Sequence, residues 1–385
     1  MGTLFENIEN LTVAQVAMWL IGGVLIYLAI KKDMEPTLLL PMGFGAILAN
    51  LPMSGAVTQF ITHTTNGQTT TNAEHGILDL LFDNGITNEL FPLLLFIGIG
   101  AMIDFGPLIS NPKMFLFGAA AHFGIFFTLS LGSLIGFDLK DAASIASIGT
   151  ADGPTAIFVS MYFDSTYIGA ILVAAYSYMA LVPIIQPAVI KCITTKKERL
   201  IRMEYKPANV SQTTKILMPI AITIIAGIVT PRSVALVGFL MFGNLIRECG
   251  VLNSLSDTAQ KAFANIITLM LGITVAAKMQ AELFLSKQTL MILGLGLIAF
   301  IFDTLGGVLF AKFLNLFLKK KVNPMIGAAG ISAFPMSSRV IHKMGLKEDP
   351  FNFLLMHAAG ANVSGQVASA IAGGLVIVLV EKFLV

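Results

Sequence analysis

Long apolar runs separated by short polar punctuation dominate this chain. Val16–Ile30, Leu93–Ile103, Met114–Ile135, Ile168–Ile190, Leu217–Val229, Leu290–Phe302 and Leu375–Val380 recur along its length. Several are long enough, with their flanks, to cross a hydrocarbon core of ~30 Å. The pattern predicts an all-α polytopic membrane protein of about ten or eleven spanning or half-spanning segments. Two stretches interrupt it. Pro52–Glu89 is polar and holds no Lys or Arg, whereas Lys191–Lys215 holds Lys191, Lys196, Lys197, Arg199, Arg202, Lys206 and Lys215. Basic loops stay in the cytoplasm, so the second stretch is placed inside, together with Lys31-Lys32 and Lys319–Lys321, and Pro52–Glu89 outside or folded against the membrane.

The basic loop 191–215 divides the chain into an N-terminal membrane half, 1–190, and a C-terminal half, 216–385, with the same order of elements. Phe96–Ile109, Met114–Gly136, a broken segment at 145–161 and Ile168–Ile190 answer to Leu269–Ala277, Leu290–Phe317, a broken segment at 326–343 and Phe353–Val380. The breaks read Ile-Gly-Thr-Ala-Asp152-Gly-Pro and Gly330-Ile-Ser-Ala-Phe-Pro335. Breaks at matching places in two repeats expose backbone oxygens and helix ends at mid-membrane, the usual position of a transport site. Loop charges leave one crossing unresolved: Phe137–Asp141 reads as outside, yet the basic loop follows only two segments later. A re-entrant Ile145–Met161 accounts for that, since irregular backbone is tolerated at depth where protein buries it or a cavity is lined by it.

Composition narrows the function. The chain is 56% hydrophobic and 12% charged, against about 25% charged in soluble domains, so most of its surface does not face water. The net charge of +2 is small and its cations lie in loops, which argues against a nucleic-acid surface. Met1–Leu11 is acidic and polar and the first apolar run ends in Lys31-Lys32, so that run is expected to remain as a helix rather than serve as a cleaved signal. Cys192 and Cys249 are expected to be free thiols. No P-loop, dinucleotide fingerprint or cluster of His and Cys ligands is present, which leaves ATP hydrolysis unsupported.

Asp152 is the leading candidate for chemistry. A carboxylate between apolar flanks costs ~2.5 to 3.5 kcal/mol at mid-membrane unless compensated, and a cation would compensate it. Gly153 and Pro154 break the helix beside it, and freed carbonyls with the hydroxyls of Thr150 and Thr155 make a hard oxygen set suited to Na⁺; the plainer alternative is a capping Asp at the membrane edge. The second break supplies Ser332, Ser337, Ser338 and Arg339. Farther on, His357, Asn362, Ser364 and Gln366 lie among small residues, where helix packing is the competing explanation. Asp104 ends a Gly-rich helix as a cap or as part of the site. Asp303 sits deep in an apolar segment, functional by default unless Lys278 or Lys312 neutralises it. Tyr176 and Tyr178 read from position alone as interfacial anchors. From the residues alone, a sodium-coupled secondary carrier for a small organic anion is one transport class that fits.

Five motifs in order resemble the beta subunits of sodium-translocating, biotin-dependent decarboxylases acting on oxaloacetate, methylmalonyl-CoA or glutaconyl-CoA: Gly98–Leu108 around Asp104, Ile148–Ile157 around Asp152, Phe302–Phe310 around Asp303, Ile331–Val340 around Arg339, and Met356–Gly365 around Asn362. The resemblance runs from about Ala14 to the C-terminus. It implies a translocase subunit of the bacterial inner membrane, active only in a complex, that exports Na⁺ as carboxybiotin held by another subunit is decarboxylated and a proton consumed. Its implied partners are a biotin carrier subunit, a carboxyltransferase subunit, a small membrane subunit and further copies of itself, as in a trimer. It implies inverted repeats and elevator-like movement. By residue, it implies Na⁺ binding at Asp152, a functional Tyr at Tyr178, a polar site residue at Asn362 and a Ser near Ser369, with no Arg after Ser369 to fill any basic role there.

Overall fold

The computed structural model describes residues 11–65, 68–205 and 210–384; residues 1–10, read above as acidic and polar, and Lys206 of the basic loop lie outside the described residues. Among these, seven helices are long and apolar enough to span a membrane, and the pair Ile77–Gly85 and Leu90–Met102, bent by 63°, is either a broken span or a re-entrant loop. Pro36–Ala49 is apolar but shorter. The remaining candidate segments are the two broken ones, in which no single piece reaches spanning length.

In chain order the helices that frame the account are α1 (Val13–Lys32), α2 (Pro36–Ala49), α3 (Ile77–Gly85), α4 (Leu90–Met102), α5 (Gly106–Ser110), α6 (Phe115–Ala121), α7 (Phe123–Ile135), α8 (Leu139–Ala146), α9 (Gly153–Tyr162) and α10 (Ile168–Ile193). After the basic loop come α11 (Gln212–Val229), α12 (Val234–Glu248), α13 (Ala264–Val275), α14 (Lys287–Phe317), α15 (Met325–Ala328), α16 (Met336–Glu348) and α17 (Leu355–Leu384). An antiparallel hairpin, β1 (Gln59–Thr65) and β2 (Gln68–Glu74), pairs from Gln59↔Glu74 to Thr65↔Gln68. It occupies the polar stretch and qualifies the all-α expectation. Thr-rich sequence has strand propensity and too little apolar content for a span.

Contacts group the chain into two compact units that do not follow the two sequence halves: 1–91 with 265–291, and 92–264 with 292–385. In the first, Thr12 and Gln15 form a capping box that starts α1, and Lys31 and Lys32 occupy its last turn, where cations suit the helix dipole. Gly22 and Gly43 let α1 and α2 cross closely; a Cβ on either would stand 2.6 Å from the other's carbonyl oxygen. Buried Asn50 ends α2, donating to Ala46 O (2.8 Å) and Met279 O (2.7 Å) and accepting from Ala281 N–H (2.8 Å). It satisfies the backbone where the chain leaves α13.

The second unit contains both breaks. α8 tightens into a 3₁₀ turn at Ser147–Thr150, Ala151 turns left-handed (φ 52°), Asp152 is extended, and α9 restarts at Gly153-Pro154. A left-handed non-glycine residue followed by Pro cannot continue an α-helix. The second break runs between α15 and α16, from Ala329 through Pro335. α17 is the most buried of the spans. It reaches the second break because both sides lack side chains there: a Cβ on Gly365 would meet Gly330 O at 2.2 Å. The basic loop is pinned to this unit by Arg199–Glu348 (2.7 Å), Arg202–Asp349 (2.5 Å) and Lys312–Glu198 (3.1 Å). Asn323 and Asn352 add bonds to the Arg199 carbonyl at 2.9 Å each.

Candidate functional site

Asp152 is buried, at 3% exposure, and stands at the N-terminal end of α9 without capping it. Its Oδ2 accepts from Thr155 Oγ1 at 2.6 Å, one turn on, and from Ser369 Oγ at 3.0 Å, from α17. Ser332, from the second break, gives its hydroxyl to Gln366 instead. Hydrogen bonds to a charged group contribute about 1.5 to 3 kcal/mol each, so the two together offset the ~2.5 to 3.5 kcal/mol of placing an acid at mid-membrane. Thr150 Oγ1 turns to Ser147 O (2.7 Å) and to Asp152 O (3.2 Å).

The two breaks meet. Ser332 N–H donates to Thr150 O at 3.4 Å, and one stripe of α17 joins both: Asn362 donates to Ile331 O (2.7 Å), Gln366 accepts from Ser332 Oγ (3.3 Å) and Ser369 reaches Asp152. These residues stand at i, i+4 and i+7, one face of a helix. Tyr176 of α10 closes the other side. Its ring lies against Gly153, where a Cβ would be 2.3 Å from Cζ and 2.6 Å from the hydroxyl. Tyr176 Oη and Asn362 Oδ1 are buried and, among the described residues, have no hydrogen-bond partner. The result is one carboxylate among hydroxyl, amide and backbone oxygens, several of them free to face a ligand. Such a set suits a hard cation, and among the described residues no group of three His, Cys, Asp or Glu side chains gathers to hold a metal.

Other sequence candidates fall elsewhere. Ser364 donates to Phe115 O (2.9 Å), and Ser337 bonds to Gln186 Oε1 (3.0 Å) and Ala328 O (3.3 Å); neither joins the Asp152 cluster through these bonds. Tyr178 donates to Leu293 O at 2.5 Å. Two residues along a helix are about 200° apart, so with Tyr176 on Gly153, Tyr178 faces another way. Tyr176, read as an interfacial anchor, is instead buried at 1% exposure. Asp104 accepts from Gly106 N–H (2.8 Å) in the turn between α4 and α5, where Phe105 is the N-cap. Arg339 is exposed on α16. Asp303 is fully buried in α14, where its carboxylate faces the Gly124 and Ile125 N–H groups of the first turn of α7 without reaching hydrogen-bond geometry. Neither lysine considered as its partner pairs with it: Lys312 binds Glu198, and Lys278 binds Asp79 at 3.6 Å. His357 lies at the first turn of α17, edge-on to Tyr205. The sequence alone reads Tyr176 as an anchor and groups Gln366 with Ser364; the i, i+4, i+7 spacing from Asn362 is the signal that sets Gln366 and Ser369 on one face.

Residues 14–380 match the family model of the Na⁺-transporting oxaloacetate decarboxylase beta subunit. The chain belongs to this family. It is 48% identical to the methylmalonyl-CoA decarboxylase subunit beta of Propionigenium modestum, over 96% of each chain. It is 47% identical to the glutaconyl-CoA decarboxylase subunit beta of Acidaminococcus fermentans, over 94% of this chain and 92% of that one. It is 44% identical to the oxaloacetate decarboxylase beta chain of Klebsiella pneumoniae, over 96% of each. Membership selects the pump over the secondary carrier. This beta subunit is the multi-pass, membrane-embedded part of a Na⁺-transporting decarboxylase of bacteria, and it works with partner subunits.

Proposed function

We propose that Na⁺ crosses this beta subunit through the cluster at Asp152, driven by decarboxylation of carboxybiotin that a partner subunit presents from the side of the basic loop, with a proton consumed. The observation that carries this is the buried carboxylate held by the hydroxyls of Thr155, in the first break, and Ser369, on α17, with the second break bonded beside it through Ser332 N–H. Asp152 is the charged Na⁺ ligand, and Asn362, Thr150, Thr155, Ser332 and Ser369 are its neutral oxygen neighbours. Tyr176 is the phenol beside that site; Tyr178, the position implied by the family resemblance, acts from the far side of α10 if it acts in proton transfer.

The halves 1–190 and 216–385 are inverted repeats of about ten or eleven segments in all, and the breaks at 145–161 and 326–343 move together in an elevator-like step. Support comes from the matching order of elements and from the bond between Ser332 and Thr150. The working assembly contains a biotin carrier subunit, a carboxyltransferase subunit, a small membrane subunit and several copies of this chain, as in a trimer. Which acid or acyl-CoA donates the carboxyl group is a property of the carboxyltransferase partner. The test is Asp152→Asn in the assembled complex. Loss of both Na⁺-stimulated decarboxylation and ²²Na⁺ uptake is expected, and wild-type Na⁺ dependence in that variant refutes the site.

A further inference from the structure

A cavity of about 380 Å³ opens beside the basic loop, lined by the link between α5 and α6, residues 202–205, the end of α14 with the turn after it, and the first turn of α17. We propose that it receives the carboxylated ring delivered by the partner subunit, an inference that rests on the carboxybiotin reading. Its size falls within the range of small-molecule sites. Phe117, Leu314 and Leu318 give an apolar wall for a ring. Lys113, Lys320 and Lys321 surround the opening; all three are exposed and, among the described residues, none is in an ion pair. Glu204 is the acid among the lining residues, and Arg202 is already engaged with Asp349. A cluster with that balance of charge concentrates anions.

His357 supplies the specific contact. It lines the cavity at 6% exposure, and among the described residues its Nε2 has no hydrogen-bond partner while the ring is held edge-on by Tyr205 at 5.7 Å. A buried imidazole nitrogen beside an apolar wall and a basic rim fits a flat polar ring bearing a carboxylate: the ring's N–H or C=O meets the imidazole, and the carboxylate meets the lysines. The place also connects to the Na⁺ site. His357 and Ser369 lie on one helix, twelve residues or about 18 Å apart. Phe117, in the cavity wall, packs its carbonyl on Gly330 of the second break, where a Cβ would come within 2.3 Å. Filling the cavity therefore bears on α17, which bonds Asp152, and on the second break, which bonds Thr150 beside it.

A biocytin carrying a stable carboxymethyl group on its ureido nitrogen tests the pocket by calorimetric titration of the full chain in neutral phosphatidylcholine nanodiscs. Unmodified biocytin, lacking the carboxylate, should bind about tenfold more weakly, and so should the probe to Lys113→Gln/Lys320→Gln/Lys321→Gln or to His357→Gln. Retained ²²Na⁺ binding in the variants shows that they are folded. No binding by the wild-type chain at millimolar probe, or equal affinity of the triple variant, overturns the assignment. Loss of probe binding when phosphatidylglycerol is added also overturns it, assigning the cavity to lipid headgroups. Turnover by the assembled complex separates the two levels of inference. If the wild-type complex shows no biotin-requiring, Na⁺-dependent decarboxylation, the underlying reading fails; if it does and the triple variant matches its rate and KM, only the pocket fails.

Discussion

Ser369 and Ser364 stand five residues apart on the same helix, yet only Ser369 touches Asp152, so their alanine variants form an internally controlled test of the Na⁺ site. Ser369 Oγ donates to Asp152 Oδ2 at 3.0 Å, whereas Ser364 Oγ donates to Phe115 O at 2.9 Å. Both hydroxyls are buried and each truncation removes one oxygen; Ser369 Oγ also lies 3.0 Å from its helix neighbour Gln366 O. The bond to the carboxylate is charge-assisted, worth about 1.5 to 3 kcal/mol, against about 0.5 to 1.5 for the neutral one. If the carboxylate's charge is what attracts Na⁺, losing the first should raise the Na⁺ concentration for half-maximal decarboxylation by about 10- to 150-fold, at 1.4 kcal/mol per decade. Ser364→Ala leaves that charge untouched, so its Na⁺ constant should stay near wild type while its thermal midpoint falls slightly. The assay is initial decarboxylation rate against Na⁺ concentration in the reconstituted complex, with thermal unfolding in parallel. Equal shifts in the two variants, or a larger one in Ser364→Ala, would refute the account in which Asp152 and its hydroxyl donors hold the ion.

Tyr176→Phe removes a buried hydroxyl without a partner among the described residues and should raise the Na⁺ constant without loss of stability; Tyr178→Phe, which loses its bond to Leu293 O, should lower the thermal midpoint instead. Activity and melting curves of the pair decide between them. Gly330→Ala places a Cβ 2.3 Å from Phe117 O, whereas Gly294→Ala meets nothing within 4 Å; overpacking should cost the first about 1 to 3 kcal/mol, read as a lower thermal midpoint, and leave the second unchanged or slightly more stable. The hydrogen bond from Arg202 holds the Asp349 carboxyl below its usual range. The docking this gives the basic loop should be complete above the ordinary Asp value of about 3.9 and be lost as pH falls through the lowered one. Limited proteolysis at 191–215 should therefore stay flat from neutral pH down to about 4 and rise below it; a rise already near pH 6 would contradict the pairing.

Much of this protein was written locally. Apolar runs identify membrane spans because transfer from water is nearly additive along a helix, and that suffices for the class and for most spanning helices. Gly153-Pro154 and Gly330 with Pro335 mark the breaks because a missing N–H, or a missing side chain, acts on the residue's own turn. Asp152 stands out because an acid is costly in that setting whatever surrounds it. Even the stripe Asn362, Gln366, Ser369 follows from helical period. Partner choice did not. Ser369 and Asp152 are 217 residues apart in sequence, and nothing near either names the other. Tyr176 and Tyr178 are indistinguishable by composition; the packing of α10 on Gly153 decides which faces the carboxylate. Asp303 invited a lysine, but Lys278 and Lys312 are both held by other acids. Close approach of helices and the direction of each hydroxyl depend on which surfaces meet in three dimensions, and only the tertiary structure decides that.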